Sequence, residues 1–593
     1  MNLVDFLKDL SQQNVELWLD GEKLRYRAPK EALTSTVLNK IQQHKAEIIH
    51  LLREDISASK SYPLTYGQQG LWFLYKLAPQ SAAYNIAFTA RIRSHLNIPA
   101  LQKAFQTLIV RHSTLRTTFG QQDAEPFQEV HEDREVCFDE IDASTWNSDE
   151  LTARVVEAYQ RPFNLEREPV MRVNLFTCSV QDYVLLLTIH HIAVDGNSFG
   201  ILLNELRLLY EAENTGRAVS LVPIKRQYRD FVQWQQKMLA SPVGDNLWTY
   251  WQKQLAGELP VLKLPTDRPR PPIQSYQGAS YSFELNQELT SQVRKMAKAQ
   301  GVTLYMALLT TFQVLLYRYT GQEDIIVGCP IEGRSQPEFA ETVGFFVNML
   351  ALRVNLAGNP TFSALLSQVR HTVLNAIAHQ DYPSPLLIER LQLNRDPSLP
   401  GLFRVSFNLL KLAEMVQDYE LSVSNQTRAR EDWGGLTLEP FVISQQEGQN
   451  DLVLDMMEMS ESLIGIFRYN TDLFDATTIS RMASHFQILL EGIIINPVQQ
   501  IASLPLLTEA EQWNLLWKWN NNQVECPSNQ CIHQLFENCV KKTTNAVAVV
   551  FQQQQLTYQE LNTRVPISLV ESFRVLCPVY CHENLLVPIF FQT

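Results

Sequence analysis

Apolar positions in the first 54 residues follow two different periods. They recur at helical spacing near the start, alternate around an Asp20-Gly21 turn, and return to helical spacing after Thr34. The helical stripes consist of Leu3, Phe6, Leu7 and Leu10, then Val37, Leu38, Ile41, Ile48, Leu51 and Leu52. The alternating positions are Val15, Leu17, Leu19, Leu24 and Tyr26. The pattern predicts a helix–hairpin–helix unit over residues 1–54, in which Thr34 caps the second helix.

A polar stretch over residues 55–60 separates this unit from a long region of mixed pattern. Continuous apolar runs at 183–189 and 324–328 predict buried strands, and residues 304–319 predict an amphipathic helix. Strand signals beside amphipathic helices indicate an α/β fold.

The proline-rich residues 265–272 predict a stiff connector that divides this long region into two halves. We therefore expect two lobes within residues 61–497. The N-lobe covers about 61–264 and the C-lobe about 273–497.

Composition and charge narrow the class of protein. Hydrophobic residues make up 45% of the 593 and charged residues 19%, as in a globular chain, and the net charge of −13 disfavours nucleic acid as a partner. No apolar run reaches the roughly 18 residues of a membrane span, and the acidic start MNLVDFLKDL is unlike a secretory signal. We expect a cytoplasmic protein that contacts neither membrane nor nucleic acid.

The eight cysteines are unevenly placed, and only three of them precede Cys526. A disulfide framework would spread through the core, so we expect reduced thiols. Cys577 and Cys581 could suggest a metal site, but no second pair stands at ligand spacing. We expect no bound metal.

One stretch, residues 190–198, carries candidate chemistry, with the sequence His190-His191-Ile192-Ala193-Val194-Asp195-Gly196-Asn197-Ser198. It follows the strand at 183–189 and precedes a helical stripe that begins at Phe199, so it lies on a loop, with Ser198 as a candidate cap. Adjacent strand side chains point to opposite faces, so the two histidines do not address one atom. We expect one histidine to face the core, as an ordinary hydrogen-bonded residue, and the other an open channel.

Six further stretches accompany the pattern HHxxxDG in a fixed order. They are residues 65–72, 111–119, 228–234, 333–334 with 343–348, 379–383, and 395–396 with 407–408. This ordered set resembles the condensation domains of nonribosomal peptide synthetases, which belong to the chloramphenicol acetyltransferase-like superfamily. The resemblance implies two acetyltransferase-like lobes in a V-shaped pseudodimer, with a channel between them.

The resemblance also implies roles for residues at the channel. His191 is the channel-facing catalytic histidine and His190 its structural neighbour. Asp195 holds the loop through an ion pair, with Arg334 as the candidate partner. Gly196 leaves room for substrate or offers its N–H to an oxyanion. The channel wall includes Ser198, Asn348 and Asn197, and the last stands where the family often has an aromatic residue.

The implied reaction joins a donor thioester to the amine of an acceptor, both carried on 4′-phosphopantetheine arms of carrier proteins, with no permanently bound cofactor. A neutral imidazole with a pKa near 6.5 could accept the proton of the attacking amine, whose own pKa is about 7.7–8.0. Alternatively, His191 only orients the amine and proximity supplies most of the acceleration.

Both ends of the chain carry further resemblances. Residues 1–54 resemble the TubC-type docking domains that bind the C-terminal peptide of an upstream synthetase, often by adding it as a strand. Residues 504–564 resemble the start of an adenylation domain, through 531–537 and 556–562. Residues 565–593 diverge from it, and we expect no adenylation activity.

Other functions remain open on the sequence alone. An epimerisation domain shares the histidine motif, but it usually follows a carrier domain. Heterocyclisation domains replace the histidine pair with aspartate, and a free coenzyme A acyltransferase would not explain the N-terminal unit. The competitor from another class is a noncatalytic recruitment platform. We expect the chain to be a monomer, because its two lobes pair internally.

Overall fold

The computed structural model describes residues 15–20, 23–27, 37, 40–42, 44–45, 48, 61–272, 276–392, 402–411, 431–443, 445, 448–459, 461–521, 532–551 and 553–564. Contacts divide the chain into two compact units, Met1–Thr508 and Glu509–Thr593. Several predictions from sequence lie outside the described residues: the first helix, Thr34, the 55–60 linker, residues 395–396, residues 526 and 531, and the 565–593 tail.

In chain order, the helices are α1 Tyr66–Leu77, α2 Ile98–Arg111, α3 Ser148–Gln160, α4 Gly196–Thr215, α5 Tyr228–Leu239, α6 Pro242–Gln254, α7 Gln287–Ala299, α8 Leu304–Thr320, α9 Phe362–Ala378, α10 Ser384–Arg390, α11 Ala476–Ile495, α12 Glu509–Trp513, α13 Ile532–Lys542 and α14 Tyr558–Arg564. The strands are β1 Glu16–Asp20, β2 Lys23–Arg27, β3 Ser61–Pro63, β4 Asn85–Ile92, β5 Thr117–Gln122, β6 Glu125–Val130, β7 Cys137–Asp142, β8 Met171–Ser179, β9 Asp182–His190, β10 Gly278–Leu285, β11 Asp324–Ile331, β12 Asn348–Asn355, β13 Val405–Lys411, β14 Glu431–Trp433, β15 Leu436–Pro440, β16 Leu452–Glu458, β17 Leu463–Asn470, β18 Val547–Phe551 and β19 Gln554–Thr557.

The hairpin near the N-terminus is formed by β1 and β2, which pair antiparallel with Leu17 opposite Tyr26. The alternating apolar pattern predicted this hairpin, and the prediction is confirmed. Ile41 and Ile48, two positions of the helical stripe that follows, are buried.

The first lobe is built on a six-stranded sheet in the order β14-β15-β4-β9-β8-β7. Its central strand β9 is the apolar run predicted from sequence, and it is buried because helices cover both faces of the sheet. Helices α2 and α4 pack on one face, and α3 packs on the other.

The second lobe is built on another six-stranded sheet, in the order β10-β17-β16-β13-β11-β12. Strand β13 runs parallel to both β11 and β16, and the remaining neighbours are antiparallel. Helices α7, α8, α9 and α11 supply its core. The two six-stranded sheets are consistent with the pseudodimer fold.

The lobes are not contiguous in sequence, which corrects the boundaries expected above. Strand β15 pairs with β4, so β14 and β15 complete the sheet of the first lobe although they fall within the expected C-lobe. Helix α6, expected in the N-lobe, buries Leu247 and Trp251 in the core of the second lobe.

The proline-rich connector has no helix or strand and lies along the second lobe. Its Asp267 carboxylate accepts hydrogen bonds from the N–H of Asp475 and the hydroxyl of Thr478, and Arg270 pairs with Asp451. Side-chain bonds therefore fix its path, in addition to the stiffness of its prolines.

No single helix in the described part of the chain is long and apolar enough to cross a membrane. Helices α7 and α8 together have sufficient length and hydropathy, but they form a pair bent by 103°. Eleven side chains of α8 are buried in the core of the second lobe.

The second unit, Glu509–Thr593, is described by itself. Strands β18 and β19 form an antiparallel hairpin, and α14 follows the second strand directly. Large apolar side chains are exposed along this unit, among them Trp513, Trp517, Val550 and Phe551.

Candidate functional site

The histidine motif begins at the last residue of β9 and ends in the first turn of α4. His190 closes the strand, and the N–H of His191 donates to the carbonyl of Tyr84 at 2.8 Å, just before the neighbouring strand β4. Helix α4 begins at Gly196, six positions after the strand ends. The motif therefore lies on a short loop between strand and helix, as expected.

His190 faces the interior of the first lobe. It is 5% exposed, and its Nδ1 accepts a hydrogen bond from the N–H of Ile192 at 3.1 Å. The ring lies edge-on to Phe163, with 6.0 Å between centroids. Burial, together with the nearby positive charge of Arg172, lowers the pKa of His190 to about 3, so its imidazole is neutral.

His191 is half-buried and lies beside Phe345, with 5.3 Å between centroids and 83° between planes. Its Nδ1 is 2.7 Å from the carbonyl oxygen of Val194. A carbonyl only accepts, so Nδ1 carries the hydrogen and Nε2 keeps its lone pair. The loop thereby selects the tautomer in which Nε2 is the basic atom.

The surroundings of His191 favour its neutral form. Burial lowers the pKa of His191 below its usual 6.5, and the bond to Val194 and the charge of Asp195 oppose this effect without reversing it. Arg468 on β17 of the second lobe lowers the pKa further, and it pairs with Asp455 on the neighbouring strand. His191 is therefore neutral at neutral pH.

Asp195 links the loop, the helix and the second lobe. It is the N-cap of α4, and its Oδ1 accepts from the N–H of Ser198 at 2.8 Å. Arg334 donates to both carboxylate oxygens, at 2.8 and 3.0 Å, and the N–H of Phe346 donates to Oδ2 at 3.0 Å. The ion pair is buried, with side-chain exposures of 4% for Arg334 and 1% for Asp195.

Ser198 differs from both sequence expectations. It does not cap α4, because the helix begins two positions earlier and Asp195 occupies the N-cap. It does not line a channel either, because it is 0% exposed. Its hydroxyl donates to the carbonyl of Gly344 and accepts from the N–H of Gly344 and from Arg334. Ser198 therefore joins the two lobes.

The segment that receives these bonds leaves no room for added side chains at two glycines. A Cβ on Gly344 would lie 1.9 Å from the ring of Tyr228. Gly333 has a φ of +66°, and a Cβ there would lie 1.9 Å from the carbonyl oxygen of Phe346. The ring of Tyr228 and the backbone of Phe346 therefore require glycine at these two positions.

Asn348, at the start of β12, borders a small cavity that is partly open to solvent. We call this space the Asn348 cavity; its walls include Phe231, Trp234, Phe345, Gln380 and Asp381. The side chain of Asn348 donates to the carbonyls of residues 380 and 382 and accepts from the N–H of Ser384. Its amide is therefore engaged by the protein, while Asn197 is half-buried on the first turn of α4.

Three residues of the site were not singled out from sequence. Phe345 and Tyr228 lie within the quoted motifs, so the motifs themselves were the available signal. The hydroxyl of Tyr228 donates to the carbonyl of Phe345 and lies 3.1 Å from the hydroxyl of Thr65. Arg468 comes from the distant strand β17, and no local pattern indicated it.

Two protein-family models match the chain. One, described as the condensation domain, matches residues 58–516, and the other, described as the TubC N-terminal docking domain, matches residues 3–54. The chain is 37% identical over 548 residues to one of the linear gramicidin synthase subunits of Brevibacillus parabrevis. That alignment covers 91% of this chain and 7% of the gramicidin protein, so the chain spans a small part of this relative's length.

Solved structures share the fold. A holo four-domain nonribosomal peptide synthetase bound to AMP and glycine superposes with a TM-score of 0.75 at 23% identity, over 87% of this chain and 39% of that one. The X-domain from teicoplanin biosynthesis superposes with a TM-score of 0.68 at 25% identity, over 75% of this chain and 97% of that one.

Proposed function

Because this chain belongs to the condensation domains of nonribosomal peptide synthetases, we propose that it joins a donor acyl or peptidyl thioester to the amine of an aminoacyl acceptor. The family forms amide bonds by acyl transfer. Donor and acceptor carrier proteins deliver the two substrates on 4′-phosphopantetheine arms. The proposal also places the protein in the cytoplasm as a monomer.

The observation that carries this proposal is the hydrogen bond between His191 Nδ1 and the carbonyl of Val194. It leaves the lone pair on Nε2, and the lowered pKa keeps the ring neutral at neutral pH. A neutral imidazole in a fixed orientation can accept the proton of an attacking amine. We assign this role to His191.

The proton that His191 takes from the amine can then be passed to the leaving sulfur. The amine nitrogen attacks the thioester carbonyl, the C–N bond forms, and the C–S bond breaks to release the donor's thiolate. A thiol titrates near pH 8.5, well above the lowered pKa of His191, so the imidazolium can give its proton to the leaving sulfur. His191 returns to its neutral form and the atoms balance.

We assign the backbone N–H of Gly196 as a hydrogen-bond donor to the oxyanion that develops on the thioester carbonyl. Gly196 is the first residue of α4, so its N–H belongs to the amides that have no acceptor within the helix. The positive end of the helix dipole adds to this donor. Asp195, Arg334 and Ser198 position the loop, and His190 supports it from the core.

The two ends of the chain receive separate roles. The docking domain offers the β1–β2 hairpin as an edge on which the C-terminal peptide of an upstream synthetase can add a strand. Residues 504–564 are proposed as the start of an adenylation domain.

The test mixes this chain with donor and acceptor carriers, each loaded with substrate, and follows both carriers by intact-mass analysis. We expect the donor mass to move to the acceptor carrier and His191→Ala to abolish the transfer. Binding of an upstream C-terminal peptide is measured separately. Peptide binding without transfer for any donor would reject the catalytic proposal.

A second candidate is a noncatalytic recruitment platform. It is favoured by the similarity to the X-domain, which another solved structure holds in a complex with OxyB. The complete bonding of Asp195 and the fixed tautomer of His191 weigh against it in this chain. Transfer lost in His191→Ala would reject this candidate.

A further inference from the structure

The ring of Phe345 stands beside His191 and also forms part of the wall of the Asn348 cavity. It meets the His191 ring nearly at a right angle, with 5.3 Å between centroids. His191 does not itself line the cavity. Phe345 is therefore the side chain that lies against His191 and also borders the cavity.

The backbone around Phe345 is fixed to the histidine loop on both sides. Ser198 bonds the N–H and the carbonyl of Gly344, and Asp195 accepts from the N–H of Phe346. Tyr228 bonds the carbonyl of Phe345 itself. Because this backbone is held, the size and rotation of the Phe345 side chain are what can change beside His191.

Gly67 on α1 supports the ring from another side. A Cβ on Gly67 would lie 3.0 Å from Cε1 and 3.2 Å from Cδ1 of Phe345. Both distances are shorter than ordinary van der Waals contact, so alanine at this position would press on the ring. The structure therefore offers two substitutions with opposite effects, one that removes the ring and one that crowds it.

We propose that Phe345 is a specificity-determining residue that limits the size of the acyl or aminoacyl group reaching His191 through the Asn348 cavity. The proposal rests on the function proposed above. The group that passes Phe345 is carried by either the donor thioester or the acceptor thioester, and the experiment below distinguishes these two substrates.

The test measures kcat/KM for glycyl and phenylalanyl substrates, first varied on the acceptor with a fixed donor and then on the donor with a fixed acceptor. Phe345→Leu and Phe345→Ala should raise the ratio of phenylalanyl to glycyl at least fivefold in one series. Gly67→Ala should lower the same ratio. The series that responds identifies the substrate that enters by this cavity.

The matched control is Phe105→Leu, which removes the same aromatic volume from the buried core of the first lobe. Phe105→Leu should change kcat/KM for the glycyl and phenylalanyl substrates by the same factor, because a general loss of packing does not depend on the substrate. The ratio should therefore stay constant. A ratio that stays within twofold of wild type in both series for the Phe345 and Gly67 variants would overturn the proposal.

A second measurement does not depend on transfer. Bromoacetamide and its N-benzyl derivative alkylate His191 Nε2, forming a C–N bond with loss of bromide and a proton, and peptide mass spectrometry follows the rates. Phe345→Ala should raise the relative rate of the benzyl reagent at least threefold. An unchanged ratio would overturn the size limit, whereas a wild-type chain that transfers nothing would instead reject the proposed function.

Discussion

Within the residues that the structure describes, one local structure occurs twice, and only the first copy carries the histidine motif. In the first lobe, β9 ends at His190 and α4 begins at Gly196. In the second lobe, β17 ends at Asn470 and α11 begins at Ala476. The helix starts six positions after the strand ends in both copies.

The backbone hydrogen bonds of the two copies also correspond. The N–H of His191 donates to the carbonyl of Tyr84, next to β4, and the N–H of Thr471 donates to the carbonyl of Gln277, next to β10. Thr471 therefore occupies the position of His191. The scaffold is repeated, but the side chain that can accept a proton is not.

Asp195 and Asp475 occupy the same N-cap position in the two copies, but their contacts differ. Asp195 bonds its own helix, Arg334 and the backbone of Phe346, and it is buried by the second lobe. Asp475 makes no side-chain cap bond and pairs with Arg268, with about half of each side chain exposed. The N-cap aspartate therefore holds two parts of the chain together in the first copy, where Arg334 and Phe346 pack over Asp195, and not in the second copy.

The largest expected difference between the copies is the cost of removing these carboxylates. Asp195→Ala should lower the free energy of unfolding by about 3–5 kcal/mol, because Arg334 is left buried without its partner. Asp475→Ala should cost about 0–1 kcal/mol, because its ion pair is exposed to solvent. Urea denaturation followed by tryptophan fluorescence measures both, and equal losses would contradict the comparison.

Ser198 and Thr478 lie three positions after these aspartates, and removing their hydroxyls should produce a smaller difference in the free energy of unfolding. Ser198→Ala should cost about 2 kcal/mol, because it leaves Arg334 and both backbone groups of Gly344 without this partner in a buried place. Thr478→Ala should cost about 1 kcal/mol, because Asp267 retains its bond from the N–H of Asp475. The same denaturation experiment applies, and a larger loss for Thr478→Ala would refute the ranking.

Acid should destabilise the first copy through His190. The unfolded chain binds this proton near pH 6.5, whereas the folded protein binds it near pH 3. The contribution of His190 to the free energy of unfolding is therefore complete well above pH 6.5. It falls as the pH is lowered towards 3, by roughly 1 kcal/mol between pH 6.5 and 5.5. His190→Asn, which introduces the residue found in the second copy, should remove this part of the pH dependence of the urea midpoint.

The smallest effect concerns the charge opposite His191. Arg468→Gln removes a positive charge and leaves Asp455 unpaired, so it should raise the pKa of His191. NMR of ¹³C-labelled histidine measures this pKa, and the signal is assigned by its loss in His191→Gln. A pKa that falls in the Arg468 variant would contradict the assigned electrostatics.

Local patterns in the sequence predicted the elements that hold the site. The apolar run before the histidines became β9, and the stripe at 304–319 became α8. The start of α4 was placed too late, because Asp and Ser are both good caps and the apolar stripe begins only at Phe199. The ion-pair partner Arg334 came from the family resemblance rather than from a local pattern.

Long-range pairing could not be predicted in the same way. Nothing in residues 436–440 indicates that this strand joins β4, more than three hundred positions earlier. Likewise, nothing near residue 468 in the sequence indicates that the charge of Arg468 acts on His191. Periodicity reports which side of an element is buried, and it does not report against which partner.

The most direct test of proton transfer to His191 compares His191→Gln with His191→Ala in single-turnover amide formation between loaded carriers, with Thr471→Ala as the matched control. Glutamine can hydrogen-bond the amine but cannot take its proton, so we expect both His191 variants to retain about 1% of the wild-type rate or less. Thr471→Ala should retain nearly the full rate. A glutamine variant that keeps a tenth or more of the wild-type rate would show that His191 orients the amine and does not accept its proton.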